Sequence, residues 1–171
     1  HTYQFDFYDG GGLDITFVGL AQMDQVGNVN VSRLANRVPG IGGFFNVTQS
    51  ADRVVFCGQF TAGDTEIAIE DGKLVIRKDG DTTKFVEAVE QITFNGAVAL
   101  GRGQSVMAIT ERAVFRIDQD GPVLIEIAPG VEIERDVLGK MAFRPRIAEN
   151  LKEMDTALFL ASQIGLAAKL G

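Results

Sequence analysis

Short apolar runs separated by polar turns characterise the first third of the chain. Residues 15–20 and 54–57 are mostly apolar, so both faces of a strand there would be mostly apolar. Strands of this kind are typical of parallel sheets with helices on both faces. The pattern therefore predicts an α/β fold with two such strands here, and a short helical turn at residues 48–52.

The middle of the chain changes to short strands that favour antiparallel pairing. Residues 66–70 and 73–77 flank Asp71-Gly72, a dipeptide that suits a two-residue type I′ turn. The pattern of residues 132–140 predicts a short helix. Further strands are predicted at residues 91–94, 106–110, 113–117 and 123–127. We expect these strands to form an antiparallel extension of the first part.

The last segment has apolar residues near helical spacing. They are Leu151, Met154, Leu158, Ala161, Ile164 and Leu166. This spacing predicts one long C-terminal helix over residues 147–170, with an apolar stripe that docks on the domain. Because such a stripe can also pair with a second copy, we expect a homo-oligomer.

Two glycine-rich turns stand before strand-like runs, at residues 9–14 and 40–43. Glycine has no Cβ, so its backbone can adopt positive φ and approach a ligand closely. Its N–H groups can then hold a phosphate or a developing oxyanion. An ordinary tight turn explains the same pattern. The second turn is not a phosphate loop of nucleotide hydrolases, because no Gly-Lys-Ser/Thr follows. It is not a dinucleotide fingerprint either, because it lacks the spaced third glycine that opens a long helix.

Charge and hydropathy exclude several partners. The chain has 16 basic and 23 acidic residues, a formal net charge of −7. This charge argues against nucleic acids and anionic membranes, but a backbone site can still bind a phosphorylated ligand. No apolar stretch reaches the roughly 18 residues of a membrane span. We expect a cytoplasmic protein with no nucleic-acid and no membrane partner.

Few residues are candidates for nucleophiles or metal ligands. Cys57 is the single cysteine and lies in an apolar run, so we expect a buried, inert thiol. The single histidine is His1, which leaves no His-based triad or His-rich metal site. We expect no metal and no other cofactor. Asp6, Asp9 and Asp14 flank the first glycine turn, where turn capping or a bound cation explains them.

Other charged residues are explained by their place in the predicted elements. Glu66 and Glu70 fit exposed strand edges, and the acidic residues 132 and 134 fit the start of a helix. Residues 110–112 (Thr-Glu-Arg) fit a hairpin turn with solvated charges.

In this order, several segments resemble the C-terminal half of a family I coenzyme A transferase. They are residues 5–14, 18–24, 27–30, 39–44, 109–115 and 128–131. The fused short-chain acyl (acetate/propionate) transferases are the most similar type. The resemblance implies an open α/β/α sandwich, NagB/RpiA-like, with an antiparallel strand extension and a C-terminal helix. Residues 1–171 would be a partial C-terminal transferase domain within a longer polypeptide.

The resemblance also implies a reaction. Such enzymes move coenzyme A, their substrate, between an acyl thioester and a short-chain carboxylate through a glutamyl thioester. The resemblance implies that this glutamate lies in a motif upstream of the segment with which this chain begins, and no glutamate precedes Glu66 here. We therefore expect the nucleophile in the missing N-terminal half and expect this chain alone to be inactive.

The glycine loop is the part of the site that carries over. Gly42 and Gly43 would donate backbone N–H groups to the thioester oxygen or let the pantetheine arm of coenzyme A approach closely. The expected contacts with coenzyme A or the acyl group are Gly40, Gly42, Gly43, Phe44, Phe60 and Thr61. Some members have a lysine near the coenzyme in the stretch that corresponds to residues 59–64, where this chain has none.

Two alternatives stay open. The chain could be a non-catalytic module that binds acyl-coenzyme A, or an assembly subunit whose glycine loops are only turns. Binding of coenzyme A by the isolated chain would favour the binding module over the assembly subunit. Acyl exchange by the complete polypeptide would favour an enzyme over both.

Overall fold

Thirteen strands and three α-helices make up the part of the chain that the computed structural model describes, residues 2–35, 37–160, 162, 164 and 165. The strands are β1 (Ile15–Gly19), β2 (Gln22–Asp24), β3 (Val29–Asn30), β4 (Arg53–Cys57), β5 (Thr61–Ala62), β6 (Glu66–Glu70), β7 (Lys73–Lys78), β8 (Thr82–Thr83), β9 (Phe85–Val86), β10 (Ser105–Ile109), β11 (Ala113–Asp118), β12 (Gly121–Ile127) and β13 (Arg146–Glu153). The helices are α1 (Thr2–Asp9), α2 (Phe44–Gln49) and α3 (Gly96–Gly101).

A six-stranded mixed sheet organises the molecule, in the order β1-β4-β10-β11-β12-β13. The pairs β1–β4, β4–β10 and β12–β13 are parallel, and the two pairs that β11 makes are antiparallel. Smaller sheets form from β3-β2-β9, β5-β8 and β6-β7. The predicted α/β class is confirmed. The predicted antiparallel extension is corrected, because β10, β11 and β12 belong to the large sheet, where β10 pairs in parallel with β4.

The two faces of the large sheet are covered differently. On the first face, Phe44 of α2 and Ala99 of α3 pack into a core that includes Phe56 and Phe115. On the second face, a smaller apolar cluster joins β7 to the turn that contains Phe159. Helices therefore cover one face, and the β6–β7 hairpin covers part of the other.

Residues 54–57 behave only partly as predicted. Val54, Val55 and Phe56 are buried, as expected for a strand with neighbours on both faces. Cys57, however, is exposed, so the predicted buried thiol is wrong. The alternation of side chains along β4 turns Cys57 to the second face, which the helices do not cover. Partial burial of Cys57 still raises the pKa of its thiol.

Strand β1 is an edge strand rather than a strand covered on both faces. It pairs only with β4 in the large sheet. Thr16 is buried on the first face, whereas the Phe17 side chain on the second face is 65% exposed. An apolar run alone does not tell a central strand from an edge strand.

The predicted Asp-Gly hairpin is confirmed. Strands β6 and β7 pair as antiparallel neighbours. Asp71 and Gly72 have φ angles of 50° and 74°, as a type I′ turn requires at both central residues. The helical segment predicted at residues 132–140 is confirmed as a π-helical turn, Ile133–Val137, followed by a 3₁₀ turn, Leu138–Lys140.

Three element predictions are corrected. The helix predicted at residues 48–52 lies earlier, at α2. Residues 91–94 form no strand; a single bridge joins Phe94 to Val29. In place of the terminal helix, β13 pairs in parallel with β12, and a 3₁₀ turn follows at Thr156–Phe159. The open backbone groups of β12 favour this pairing. Residues 161, 163 and 166–170 of the predicted helix lie outside the described residues.

Candidate active site at the carboxyl edge of the sheet

Three parallel strands end side by side at one edge of the large sheet. Gly19 of β1 lies in register with Cys57 of β4, which in turn lies in register with Ile109 of β10. The turns that follow these strands therefore gather at this edge. Ligands of open α/β sheets bind outside the carboxyl ends of the strands, so this edge is the candidate site.

The second glycine loop lies on the first face and is directed toward the same edge. The Phe44 ring, just after the loop, stacks on Phe56 near the end of β4, with 6.2 Å between the ring centroids. At the other end of α2, Thr48 O accepts a 2.9 Å hydrogen bond from Nε2 of Gln104, which directly precedes β10. Helix α2 therefore runs from the carboxyl side toward the amino side of the sheet.

The three loop glycines differ in what the fold requires of them. Gly40 and Gly42 have φ angles of 78° and 49°, in the left-handed region that favours glycine. Gly43 has an ordinary φ of −86°. A Cβ on Gly43 would lie 3.7 Å from the Phe5 ring, an ordinary contact distance. Neither backbone conformation nor packing within the described residues requires glycine at position 43.

The N–H groups of this loop are available to a ligand. The Phe44 N–H donates a 3.0 Å hydrogen bond to Ile41 O. The N–H groups of Gly42 and Gly43 have no acceptor among the described residues. Gly40 and Gly42 are exposed and Gly43 is half-buried. The loop is therefore an open surface with at least two free donors.

Buried polar groups hold the segment that leads into the glycine loop. Asn30 is fully buried; its Nδ2 donates to Gln22 Oε1 at 2.7 Å, and its Oδ1 accepts from the Arg33 N–H at 3.2 Å. Glu90 Oε2 accepts a 2.7 Å hydrogen bond from the Ala35 N–H. These contacts fix the start of the loop segment relative to the end of β1.

Phe60 and Thr61 lie inside the protein rather than at its surface. The Phe60 ring is fully buried, with its centroid 4.6 Å from that of Phe85. Thr61 Oγ1 donates to Asp79 Oδ1 at 3.1 Å. Phe44 is half-buried. Contacts of Phe44, Phe60 and Thr61 with coenzyme A or an acyl group stay a prediction.

Arg112 contradicts the solvated turn predicted at residues 110–112. Its side chain is fully buried, with Nη2 2.7 Å from Asp79 Oδ1 and Nε 2.7 Å from Glu111 Oε1. Nη1 donates to Asp136 O at 3.1 Å, and the guanidinium carbon lies 5.1 Å from the Phe60 ring centroid. Burial alone would lower the pKa of Arg112, but the two carboxylates raise it above its ordinary value.

The carboxylates around Arg112 connect the turns at the carboxyl edge. Glu111 Oε2 accepts a 2.9 Å hydrogen bond from the Phe60 N–H, just beyond β4. Burial of Asp79 acts to raise its pKa, but the hydrogen bond and charge of Arg112, together with Thr61 and Lys140, outweigh burial and leave that pKa below its ordinary value. Arg112 therefore stays a cation that holds the ends of β4 and β10 and residue 79 together.

A cavity with a buried lysine opens at the same edge, and sequence reasoning missed it. The cavity has a volume of about 360 Å³, and its lining includes Leu20, Leu34, Ala62 and Lys84. Lys84 is 8% exposed, and its Nζ donates to Gln59 O at 2.8 Å. Burial lowers the pKa of Lys84, and the charge of Glu111 opposes that shift. The only sequence signal was a lysine directly before the apolar Phe85.

The remaining acidic candidates lie elsewhere. Glu66 and Glu70 form exposed ion pairs with Arg77 on the hairpin. Asp9 accepts hydrogen bonds from the Asn46 amide. Among the described residues, no three Asp, Glu, His or Cys side chains form a group that could hold a metal ion. In the same part of the chain, no helix has the length and apolar character needed to span a membrane.

Comparison with known proteins identifies the family. No profile of a known protein family matches the chain. The chain is 46% identical over 176 aligned positions to a caffeate CoA-transferase of Acetobacterium woodii, covering 100% of this chain and 33% of that protein. It is 47% identical over 164 positions to the acetate CoA-transferase YdiF of Escherichia coli K12, covering 96% of this chain and 31% of that protein.

Solved structures agree with the sequence comparison. The apoenzyme of the acyl-CoA transferase YdiF from Escherichia coli O157:H7 superposes with a TM-score of 0.94 at 47% identity, over 96% of this chain and 32% of that one. The chain belongs to the coenzyme A transferases. It spans about a third of the length of the curated relatives that it matches. This fits the expected carboxyl-terminal part of such a transferase.

The fold extends to more distant transferases. The glutaconate coenzyme A-transferase of Acidaminococcus fermentans has a TM-score of 0.63 at 18% identity, over 91% of this chain and 58% of that one. At this identity the likeness concerns the fold alone. The open α/β sheet is therefore common to members whose sequences have diverged widely.

Proposed function

We propose that this chain is the C-terminal domain, residues 1–171, of an acyl-CoA:carboxylate CoA-transferase, and that the rest of the polypeptide carries the catalytic glutamate. The observation that carries the proposal is the TM-score of 0.94 at 47% identity to YdiF, one of whose structures is a thioester complex with CoA. The complete enzyme would move coenzyme A between short-chain acyl thioesters and carboxylates.

The glycine loop would bind the thioester. Gly42 and Gly43 present N–H groups without acceptors among the described residues, and the fold itself does not require glycine at position 43. A missing side chain at Gly43 is explained if a ligand approaches the backbone there. A well-aimed N–H donor stabilises a developing oxyanion by about 3 kcal/mol.

This chain supplies donors and binding surface, and the nucleophile comes from elsewhere. Glu111 is engaged by Arg112 and the Phe60 N–H, and Glu66 and Glu70 pair with Arg77 on the hairpin surface. A carboxylate nucleophile must be free to attack a carbonyl carbon. These three glutamates therefore fit structural roles, in keeping with a nucleophile outside the chain.

The proposal includes the setting and partners of the enzyme. Coenzyme A is a substrate, no metal is required, and the partners are acyl-CoA, a short-chain carboxylate and the N-terminal part of the enzyme. We place the enzyme in the cytoplasm because of its acidic, single-cysteine composition. A homo-oligomer is supported by exposed apolar side chains such as Leu158 and Leu160, not by a terminal helix.

Acyl exchange by the complete polypeptide tests the proposal. Propionyl-CoA and labelled acetate are incubated with the purified protein, and labelled acetyl-CoA is measured. We expect label to enter acetyl-CoA with release of propionate. Folded complete protein that binds coenzyme A but exchanges no label would instead favour a binding module.

A further inference from the structure

Lys84 is a buried cation that the fold compensates only in part: the charge of Glu111 acts on it, but among the described residues no carboxylate contacts it. Its side chain packs at the carboxyl edge, and in the described residues its ammonium has one acceptor, Gln59 O, and no carboxylate within ion-pair distance. Arg112, the neighbouring buried cation, has two carboxylates and a carbonyl. Burying a charge without a counter-charge is costly, and lysine is the more strongly hydrated cation of the two. The position of Lys84 is therefore better explained by a ligand than by stability.

The cavity beside Lys84 combines one cation with apolar walls. Leu20, Leu34 and Ala62 supply the apolar lining. Glu90 also lines the cavity, but its carboxylate accepts hydrogen bonds from Gln22 Nε2 at 3.1 Å and from the backbone of residue 35. Glu90 thus has its own donors, whereas among the described residues the Lys84 ammonium has one acceptor for its three N–H bonds.

The end of strand β4 lets the ammonium come close to the backbone. A Cβ on Gly58 would lie 3.1 Å from Lys84 Nζ, tighter than most contacts that a real Cβ makes. Glycine at position 58 therefore gives the ammonium room above the carboxyl end of the parallel strand. This is the place where an open α/β sheet binds its ligand.

The chemistry of the cavity selects a small organic acid. One ammonium compensates the single negative charge of a carboxylate, whereas a phosphate monoester brings up to two charges and asks for more donors. The volume of about 360 Å³ is near the lower end of ligand pockets. Apolar walls suit a short alkyl chain. Burial lowers the pKa of Lys84, and a bound carboxylate would oppose that shift.

We propose that Lys84 binds the carboxylate of the short-chain acid that accepts coenzyme A, with its alkyl chain against Leu20, Leu34 and Ala62. This inference rests on the proposed transfer function for its place in the reaction. The binding of the acid itself does not depend on that function.

The kinetic test uses the complete enzyme with Lys84→Met, which keeps the length of the side chain and removes the charge. A hydrogen bond to a charged group is worth about 1.5–3 kcal/mol, so we expect the KM for acetate or propionate to rise about tenfold or more. The KM for propionyl-CoA should change less than about twofold, because the thioester carbonyl is uncharged. Lys73→Met, at an exposed lysine of the hairpin, is the matched control. Equal changes in both KM values, or none, would overturn the inference.

A binding test separates this inference from the proposed function. Saturation-transfer NMR with propionate as the probe should give a signal with the complete protein and with Lys73→Met, and little or none with Lys84→Met. If the protein exchanges no coenzyme A but binds propionate through Lys84, the function fails and the site stands. An undiminished propionate signal with Lys84→Met overturns the site and leaves the function intact.

Two further experiments test the carboxylate site if Lys84→Met does not fold. Ala62→Leu leaves the lysine in place and fills the apolar wall, so it should weaken propionate binding more than acetate binding. Inorganic phosphate at the same concentration should not displace propionate. Displacement by phosphate, or equal loss of both acids with Ala62→Leu, would contradict a carboxylate site.

Discussion

Arg112 Nη2 and Asp79 Oδ1 lie 2.7 Å apart in an ion pair that connects the end of strand β10 to the segment between β7 and β8. The guanidinium is fully buried and the aspartate side chain is 13% exposed. The pair lies directly behind the carboxyl edge, where Glu111 also joins Arg112 to the turn after β4. A buried network of charged side chains therefore holds together the turns that form the candidate site.

Removing Arg112 should strongly destabilise the domain. Arg112→Met leaves the partly buried Glu111 without its cation and leaves Asp79 with only Lys140, 3.4 Å away. Breaking a buried pair in this way costs about 3–5 kcal/mol. Urea unfolding followed by circular dichroism measures the change. Arg77→Met, in the exposed ion pairs of the hairpin, is the control and should leave the free energy of unfolding unchanged. A loss below about 1 kcal/mol for Arg112→Met would contradict a stabilising role.

The stability that Asp79 contributes should disappear in acid. Its pKa in the folded chain lies below the ordinary value of 3.8, because Arg112, together with Thr61 and Lys140, outweighs burial. A depressed pKa stabilises the fold above the ordinary value, and that stability is lost as the pH falls through the folded pKa. The difference in free energy of unfolding between wild type and Asp79→Asn should therefore be full at neutral pH and shrink below pH 3.8.

Unfolding in urea at a series of pH values measures this difference. Asp64→Asn, at an exposed aspartate, is the matched control. Asp136 contributes in the same direction, because its hydrogen bonds from Arg135 outweigh burial and lower its pKa. A wild-type advantage over Asp79→Asn that stays constant from neutral pH into acid would show that the charge of Asp79 does not stabilise the fold.

Gly43→Val should reduce catalysis without unfolding the protein. The chain has room for a Cβ at Gly43 and an ordinary φ there. A side chain would, however, keep a thioester from the N–H groups of the loop, and loss of one such donor lowers kcat by about 100-fold or more. Steady-state turnover of the complete enzyme measures the effect. Turnover near that of wild type would mean that the loop is only a turn.

Gly42→Ala should reduce the stability of the fold. Gly42 has a φ of 49°, where an L residue costs about 1–2 kcal/mol. Chemical denaturation should show this loss. Gly101→Ala, at a helical glycine with no atom near its Cβ position and no positive φ, is the control and should not destabilise the protein. Equal stability of Gly42→Ala and wild type would show that the left-handed conformation at Gly42 is not maintained.

Local patterns predicted the elements whose causes are local. The Asp71-Gly72 turn requires only two adjacent residues that adopt positive φ. The apolar run Val54–Phe56 requires only that its strand has neighbours on both sides. The identity of β13 depends on the open edge of β12, which is set by pairing across the sheet. Its apolar residues also match a helical period, so the pattern alone favoured the wrong element.

The candidate site was predictable only where glycine marks it. The exposed glycine loop, at Gly40 to Gly43, was found from sequence because absent side chains are visible there. Arg112 and Lys84 were not, because their partners lie at positions 79, 111 and 59, brought together by the sheet. Without knowledge of these distant partners, a charged residue in a predicted turn is expected to be solvated.

Mass spectrometry of the complete protein after incubation with an acyl-CoA shows where the catalytic glutamate lies. We expect a covalent coenzyme A adduct on a glutamate outside residues 1–171, which disappears when a free carboxylate is added. An adduct on Glu66, Glu70 or Glu111, or folded protein that forms no adduct, would contradict this expectation.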